Sequence, residues 1–166
     1  MLSEDLVKSG AIKFGDFILT SGKRSDYYVD IKEAATDPNL LSEIASEFSK
    51  MIHARKIAGM ELGAVPLIVA TSLNMGIPYV IVRKERSHGT LSLIVGRLNR
   101  GEEVDVIEDV VTTGNSVLKA INVLRENGVV VKDAYCVVDR EEGGAKLLEN
   151  NGIKLHPIVR ISELKR

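Results

Sequence analysis

The residues Val104-Asp105-Val106-Ile107-Glu108-Asp109-Val110-Val111-Thr112-Thr113-Gly114-Asn115-Ser116 join an apolar run, two adjacent carboxylates and a turn of small hydroxyl residues that opens a helix. Each part suits a different piece of one ligand. Backbone N–H groups from Thr112 to Ser116 stand ahead of the first helical hydrogen bonds and carry the positive end of the helix dipole, so a phosphate monoester can dock there. Gly114 allows close backbone approach, and the hydroxyls of Thr112, Thr113 and Ser116 add donors. Glu108 and Asp109, at the carboxyl end of the strand, can accept hydrogen bonds from two vicinal ribose hydroxyls. A sugar held between the acids and the phosphate cradle is then a 5-phosphoribosyl group. No Gly-Lys-Ser/Thr appears here and no Gly-x-Gly-x-x-Gly follows the first strand, which excludes a Walker loop and a dinucleotide fingerprint. Taken alone, the pattern has a plainer explanation as a solvated strand end followed by a helix cap.

A second concentration of chemistry lies at Arg83, Lys84, Arg86 and His88, four cationic or potentially cationic side chains within six positions. Such a loop suits the departure of a dense polyanion such as diphosphate; the bland reading is a solvated basic loop. His53 and His156 receive no role at this level.

The elements that must position these residues alternate along the chain. A short opening helix turns Leu6 and Val7 inward, and strand-like runs at Phe17–Leu19 and Tyr27–Ile31 flank the turn-rich Ser21–Ser25, suggesting a hairpin-like hood. Asp37-Pro38 reads as an N-cap with proline at the first helical position. Leu40, Leu41, Ile44, Ala45, Phe48, Met51 and Ile52 then recur at helical spacing. Beyond it the pattern predicts a strand near Ile57–Leu62, a helix from Val65-Pro66, a strand Tyr79–Val82, a charged loop Arg83–Gly89 and a strand near Leu91–Val95. A strand Val104–Ile107, a helix Asn115–Asn127 with Val117, Leu118, Ile121 and Leu124 inward, a strand Val129–Val138, a helix Ala145–Asn150 and a strand Ile153–Val159 complete it. Helices alternating with strands that are apolar on both faces imply an α/β fold with a mostly parallel central sheet flanked by helices.

The 166 residues carry 22 Lys plus Arg against 23 Asp plus Glu, which fits one globular domain of net charge −1 and argues against a general polyanion or membrane-surface binder. Cys136, the single cysteine, sits in the apolar run Ala134–Val138 and reads as a buried structural thiol. The acidic Met1–Asp5 lacks the features of a signal peptide. Leu62 to Val82 is uncharged and long enough to span a bilayer, but Pro66, Ser72, Asn74, Gly76 and Pro78 interrupt it. It is expected to be a buried helix–strand unit of a cytoplasmic protein.

The Glu108-to-Ser116 segment resembles the phosphoribosyl-diphosphate (PRPP) motif of the type I phosphoribosyltransferases, and the resemblance extends to the orotate phosphoribosyltransferases of the short archaeal form. Phe14–Tyr28 is similar to that family's hood signature, in which Phe-x-Leu-x-Ser-Gly-x-x-Ser-x-Tyr lies over the pyrimidine. Arg83–Thr90 resembles its flexible catalytic loop, and Asp139–Gly144 the segment whose arginine meets the orotate ring. What the resemblance implies is one phosphoribosyltransferase domain over 1–166, its hood drawn from about residues 1–35. The reaction would join PRPP and orotate into orotidine 5′-monophosphate and diphosphate in UMP biosynthesis. Lys84, Arg86, His88 and Asp109 are then the catalytic candidates. PRPP would be bound by Arg83, Lys84, Arg86 and His88 together with Glu108, Asp109, Val110, Val111, Thr112, Thr113, Gly114, Asn115 and Ser116. Orotate, a flat anion with a carboxylate, would take Lys23, Tyr28, Thr112 and Arg140: Tyr28 as a covering face, Arg140 as a planar cation with paired N–H donors. Mg²⁺ would enter on PRPP, with no direct protein ligand and contact to Glu108 or Asp109 only through water.

The resemblance also implies a homodimer whose catalytic loop, Lys84 included, reaches the partner's active site. It implies no nucleic-acid or membrane partner and leaves open an association with orotidine 5′-monophosphate decarboxylase. Two departures stand out. Many bacterial relatives carry a lysine where Thr20 stands, with Lys23 available nearby, and Glu61–Pro66 lacks the bacterial lysine at Gly63. The alternatives are a purine phosphoribosyltransferase, which would keep the cradle without the Ser-Gly-x-x-Ser-x-Tyr hood, and a non-catalytic PRPP-sensing regulator.

Overall fold

A computed structural model describes residues 1–85 and 92–165. The chain starts with α1 (Leu2–Lys8), the antiparallel hairpin β1 (Ile12–Ile18) and β2 (Arg24–Val29), the one-turn α2 (Ile31–Ala34) and α3 (Pro38–Met51). Then follow β3 (Ile57–Met60), α4 (Ala64–Met75), β4 (Tyr79–Val82), β5 (Ile94–Val95), β6 (Asp105–Val111) and α5 (Asn115–Glu126). The last elements are β7 (Asp133–Asp139), α6 (Gly144–Glu149), β8 (Lys154–Arg160) and α7 (Ile161–Leu164). Six strands form one sheet in the order β5-β4-β3-β6-β7-β8, parallel from β4 to β8, with β5 antiparallel at one edge. The expected α/β architecture with a mostly parallel sheet is what forms.

Alternation along the inner strands builds a core on each side of the sheet. Ile57, Ile107, Tyr135 and Val137 pack with Leu6, Ile44, Phe48, Leu67 and Ile68 on one face. Their neighbours Ala58, Val106, Ala134 and Cys136 pack with Val117, Ile121 and Leu124 on the other. Full burial of each large aliphatic side chain contributes roughly 1.5–3 kcal/mol before the entropy of ordering is subtracted. The chain order reverses between β3 and β6, because β3 continues to β4 on one side while β6 continues to β7 and β8 on the other. The crevice beyond the carboxyl ends of such a pair is where open α/β sheets hold ligands.

Local signals explain the element ends. The Asp37 carboxylate accepts from the N–H groups of Asn39 (2.9 Å) and Leu40 (3.0 Å), capping α3. Gly76, at φ 69°, ends α4 in the left-handed conformation, so the uncharged 62–82 stretch is indeed broken into helix and strand. No helix among the described residues is long and apolar enough to cross a membrane. Cys136 is fully buried, and burial pushes its thiol up, as expected for a structural cysteine.

Several expectations need correction. Val7 is exposed: Leu2 and Leu6, four residues apart, share the buried face of α1, and Val7 turns away from it. The second hood strand stops at Val29, because the Asp30 side chain accepts from Glu33 N–H (3.1 Å) and starts α2 at Ile31. The apolar Val129–Val131 stretch leads into β7 with Val129 and Val131 buried and Val130 exposed, and its one backbone pairing with a neighbour is an isolated Glu103–Val130 bridge. Leu91 lies outside the described residues, and the strand expected there is reduced to Ile94–Val95.

Candidate active site

At the carboxyl end of β6 the two acids are buried, Glu108 at 8% and Asp109 at 7% exposure. Glu108 Oε1 accepts from Asp109 N–H (3.0 Å) and Asp109 Oδ1 from Val110 N–H (2.9 Å). Asp109 Oδ2 lies 3.3 Å from Lys32 Nζ, the one cation paired with it among the described residues. Burial, and then the adjacent Asp109 carboxylate, push the Glu108 pKa up to about 8. Proton retention on Glu108 is favoured by this environment, and the paired acids offer oxygens to two sugar hydroxyls.

The following loop is fixed by close backbone packing. Gly114 sits at φ 86°, and a Cβ there would meet Gly144 Cα at 3.1 Å and Gly144 O at 3.2 Å. Gly144 N–H donates to Thr112 O (3.1 Å), pinning the loop to the start of α6. The bond from Leu118 N–H to Gly114 O (3.0 Å) is the first turn of α5, so the N–H groups ahead of it face outward without an intrahelical acceptor. Nearby, the loop after β3 brings Gly63 against the acids: a Cβ at Gly63 would overlap the Asp109 carboxylate. Gly63→Ala should therefore displace Asp109 without unfolding the sheet. The expected outcome is a 10–100-fold lower kcat/KM, about 1.4–2.7 kcal/mol, at an unchanged far-ultraviolet circular dichroism spectrum. Wild-type kinetics in that variant would show that the carboxylate's placement is immaterial.

Two adjoining cavities meet here. One, of about 540 Å³, is lined by Lys32, Glu61, Leu62, Gly63, Lys84, Glu108, Asp109, Val110 and Ser116; the other, of about 710 Å³, by Thr20, Ser21, Lys23, Thr113 and Glu142 among others. Tyr28, Val29, Thr112 and Arg140 line both and form the divide. Strand alternation separates the two hood tyrosines. Tyr28 faces the cavities, its ring 5.9 Å from that of Phe17, whereas Tyr27 is buried behind. Tyr27 still has a place near the site, because its hydroxyl accepts from Arg140 Nε at 2.9 Å. Arg140 also pairs with Glu142, at 3.5 Å.

The structure thus brings together Lys84, Glu108, Asp109, Val110, Thr112, Thr113, Ser116, Lys23, Tyr28 and Arg140 around the joined cavities. Arg83, Val111, Gly114 and Asn115 line neither: Val111 points into the core at 2% exposure, and Gly114 shapes the loop. Arg86 and His88 lie outside the described residues. Lys84 lines the cavity of its own chain, its N–H on Glu61 Oε1 at 2.8 Å. The sequence reading did not pick out Lys32, whose signal was its place just after the hood strand. Glu61, Leu62 and Gly63, part of the Glu61–Pro66 segment that the resemblance likens to the family's diphosphate loop, follow β3 and line the cavity.

Comparison with known proteins gives the same reading. Residues 32–150 match the Phosphoribosyl transferase domain family. An orotate phosphoribosyltransferase of Thermoplasma acidophilum is 77% identical over 164 residues, covering 99% of this chain and 96% of the relative. The crystal structure of orotate phosphoribosyltransferase from Aeropyrum pernix superposes with a TM-score of 0.87 at 35% identity, covering 99% of this chain and 96% of that one. The Mycobacterium tuberculosis enzyme solved in complex with PRPP superposes with a TM-score of 0.78 at 30% identity, covering 98% and 96%. Full-length likeness of this degree reaches past the fold to the family, and the chain belongs to the orotate phosphoribosyltransferases.

Proposed function

We propose that this chain transfers the 5-phosphoribosyl group from PRPP to a ring nitrogen of orotate, releasing orotidine 5′-monophosphate and diphosphate for UMP synthesis. One observation carries the reading: an acid pair and an amide-rich loop flank a cavity whose far wall is an aromatic face and an arginine. The 5′-phosphate sits on the N–H groups of Thr113–Ser116, and the ribose diol on Glu108 and Asp109. Orotate lies under Tyr28, its carboxylate paired with Arg140 and its ring bonded to Thr112, while Lys23 supplies positive charge where Thr20 replaces a lysine.

The C1–oxygen bond to diphosphate breaks and the C1–nitrogen bond to orotate forms, through a sugar with oxocarbenium character. Catalysis then rests on alignment of the nitrogen with C1 and on neutralising the leaving group, with Lys84, Arg86 and His88 as the cations. No strong base is required. Burial favours the protonated form of Glu108, and Asp109 is already bonded to Lys32 and Val110, so the acids suit hydroxyls and water better than direct metal ligation. Mg²⁺ held on PRPP, reaching Glu108 or Asp109 through water, would supply charge neutralisation on the diphosphate oxygens.

Incubation with PRPP, Mg²⁺ and each of orotate, adenine, guanine and hypoxanthine tests the substrate. Orotate absorbance should fall and no purine should turn over; purine turnover, or PRPP binding without turnover, would reject the proposal.

The same proposal has the chain act as one domain, in the cytoplasm, as a homodimer whose loops complete each other's sites. The exposed Leu62 and Leu73 beside the cavity and on α4 are apolar surface that a second copy would cover. Mixing Arg86→Ala with Asp109→Asn, each strongly impaired alone, should then restore about a quarter of wild-type activity, since half the dimers are mixed and each has one intact site. Subunit exchange with no recovery would refute loop sharing.

A further inference from the structure

At the opposite end of the sheet lies a second cluster that the substrate chemistry does not use. Asp105 is the first residue of β6 and Asp133 the first of β7, its parallel neighbour. Glu103 leads into β6, and His53 follows the end of α3. Four strand residues at roughly 3.3 Å each put Asp105 about 13 Å from Asp109, so this is not the ribose site. We propose that His53, Glu103, Asp105 and Asp133 form a structural zinc site, clasping the end of α3 to the amino edges of β6 and β7.

One ligand atom from each residue lies within 4.8 Å of the other three. His53 Nε2 is 3.5 Å from Glu103 Oε1 and 3.5 Å from Asp133 Oδ2. That is long for a hydrogen bond, but it matches the edge of a tetrahedron with bonds of about 2.1 Å, which is roughly 3.4 Å.

Asp105 adds an independent observation. It is fully buried, and its Oδ2 accepts from the N–H groups of Ala54 (3.2 Å) and His53 (3.4 Å). Its Oδ1 is buried with no hydrogen-bond partner. An unsatisfied buried carboxylate oxygen is costly, and a cation is the partner its charge demands. Among the described residues no Lys or Arg ion pair reaches Glu103, Asp105 or Asp133; Glu103 and Asp133 pair with histidines, and Asp105 is in no ion pair.

The surroundings resemble the outer shell of a metal site. Asp133 Oδ1 bonds His156 Nε2 at 2.7 Å, and the His156 ring stacks on Tyr135 at 4.8 Å. The Tyr135 hydroxyl lies 3.5 Å from His53 Nδ1, leaving Nε2 directed at the carboxylates. An imidazole nitrogen among carboxylates, two of them 3.5 Å away, favours zinc over magnesium, which prefers six oxygens and retains water.

The test is calorimetric titration of the EDTA-treated full chain with zinc alone, paired with thermal unfolding. Expected are one zinc per chain, a dissociation constant in the micromolar range or tighter, and a midpoint raised by about 5–10 °C at a hundred times that constant. His53→Ala, at a side chain 60% exposed, should keep the metal-free midpoint and weaken binding at least tenfold. Asp109→Asn should bind zinc as wild type does. Absent saturable binding, binding indifferent to His53→Ala, binding lost in Asp109→Asn, or manganese bound more tightly than zinc would each overturn the proposal. None of these readouts depends on orotate turnover.

Discussion

Asp109→Asn should lower kcat/KM for PRPP by roughly 30–1,000-fold, about 2–4 kcal/mol, while the fold persists. The carboxylate is buried, anchored by Val110 N–H and paired with Lys32, so it presents a charge-assisted acceptor that an amide cannot replace. Asparagine is nearly isosteric, which limits damage to the surrounding core. The variant also carries a pH signature. Burial and then Asp109 hold the Glu108 pKa well above its ordinary 4.5 in the folded chain, so above pH 4.5 the folded state binds the extra proton and stability falls as pH rises. Removing the Asp109 charge removes a cause second to burial, so this window narrows but does not close. Urea midpoints at pH 5, 7 and 9 should therefore decline less in Asp109→Asn than in wild type. Kinetics within threefold of wild type would show that the acid pair does not grip the sugar.

The second large effect belongs to orotate. Arg140→Ala should raise KM for orotate about 100-fold, close to 3 kcal/mol, with KM for PRPP changed less than threefold. Arg140→Lys should recover little, because an ammonium cannot present the paired donors that a carboxylate accepts. Tyr27→Phe separates position from contact: it removes the hydroxyl that holds Arg140 Nε and should cost only about 3–10-fold in the same constant. Steady-state kinetics with each substrate varied would check all three. Equal losses in both constants would place Arg140 in general support of the fold.

What could be seen in the sequence was what is contiguous there. The acids and the small-residue turn are consecutive, and strand, carboxyl end and helix start follow from that order alone. The Asp37-Pro38 cap and the Gly76 stop were legible because capping chemistry is local. What escaped were meetings between distant segments. Lys32 on Asp109, Gly63 beneath the same carboxylate and Tyr27 on Arg140 depend on β3 lying next to β6 and on the hood folding over the sheet. Period-two alternation requires one hood tyrosine to face away, and the expected Tyr28 is the one that lines the cavities while Tyr27 is buried behind it. Val129–Val131 reads as strand because it is apolar, yet Val129 and Val131 are buried in a connecting segment that has one isolated bridge and no ladder. His53 and His156, given no role from their neighbours in sequence, find carboxylates only once β6, β7 and β8 are side by side.

The most direct measurement is a crystal structure with orotidine 5′-monophosphate bound. The 5′-phosphate should rest on the amides of Thr113–Ser116, both ribose hydroxyls within 3 Å or so of Glu108 and Asp109, and the pyrimidine carboxylate on Arg140. A nucleotide seated anywhere else, or one whose sugar turns its hydroxyls away from the acid pair, would contradict this assignment.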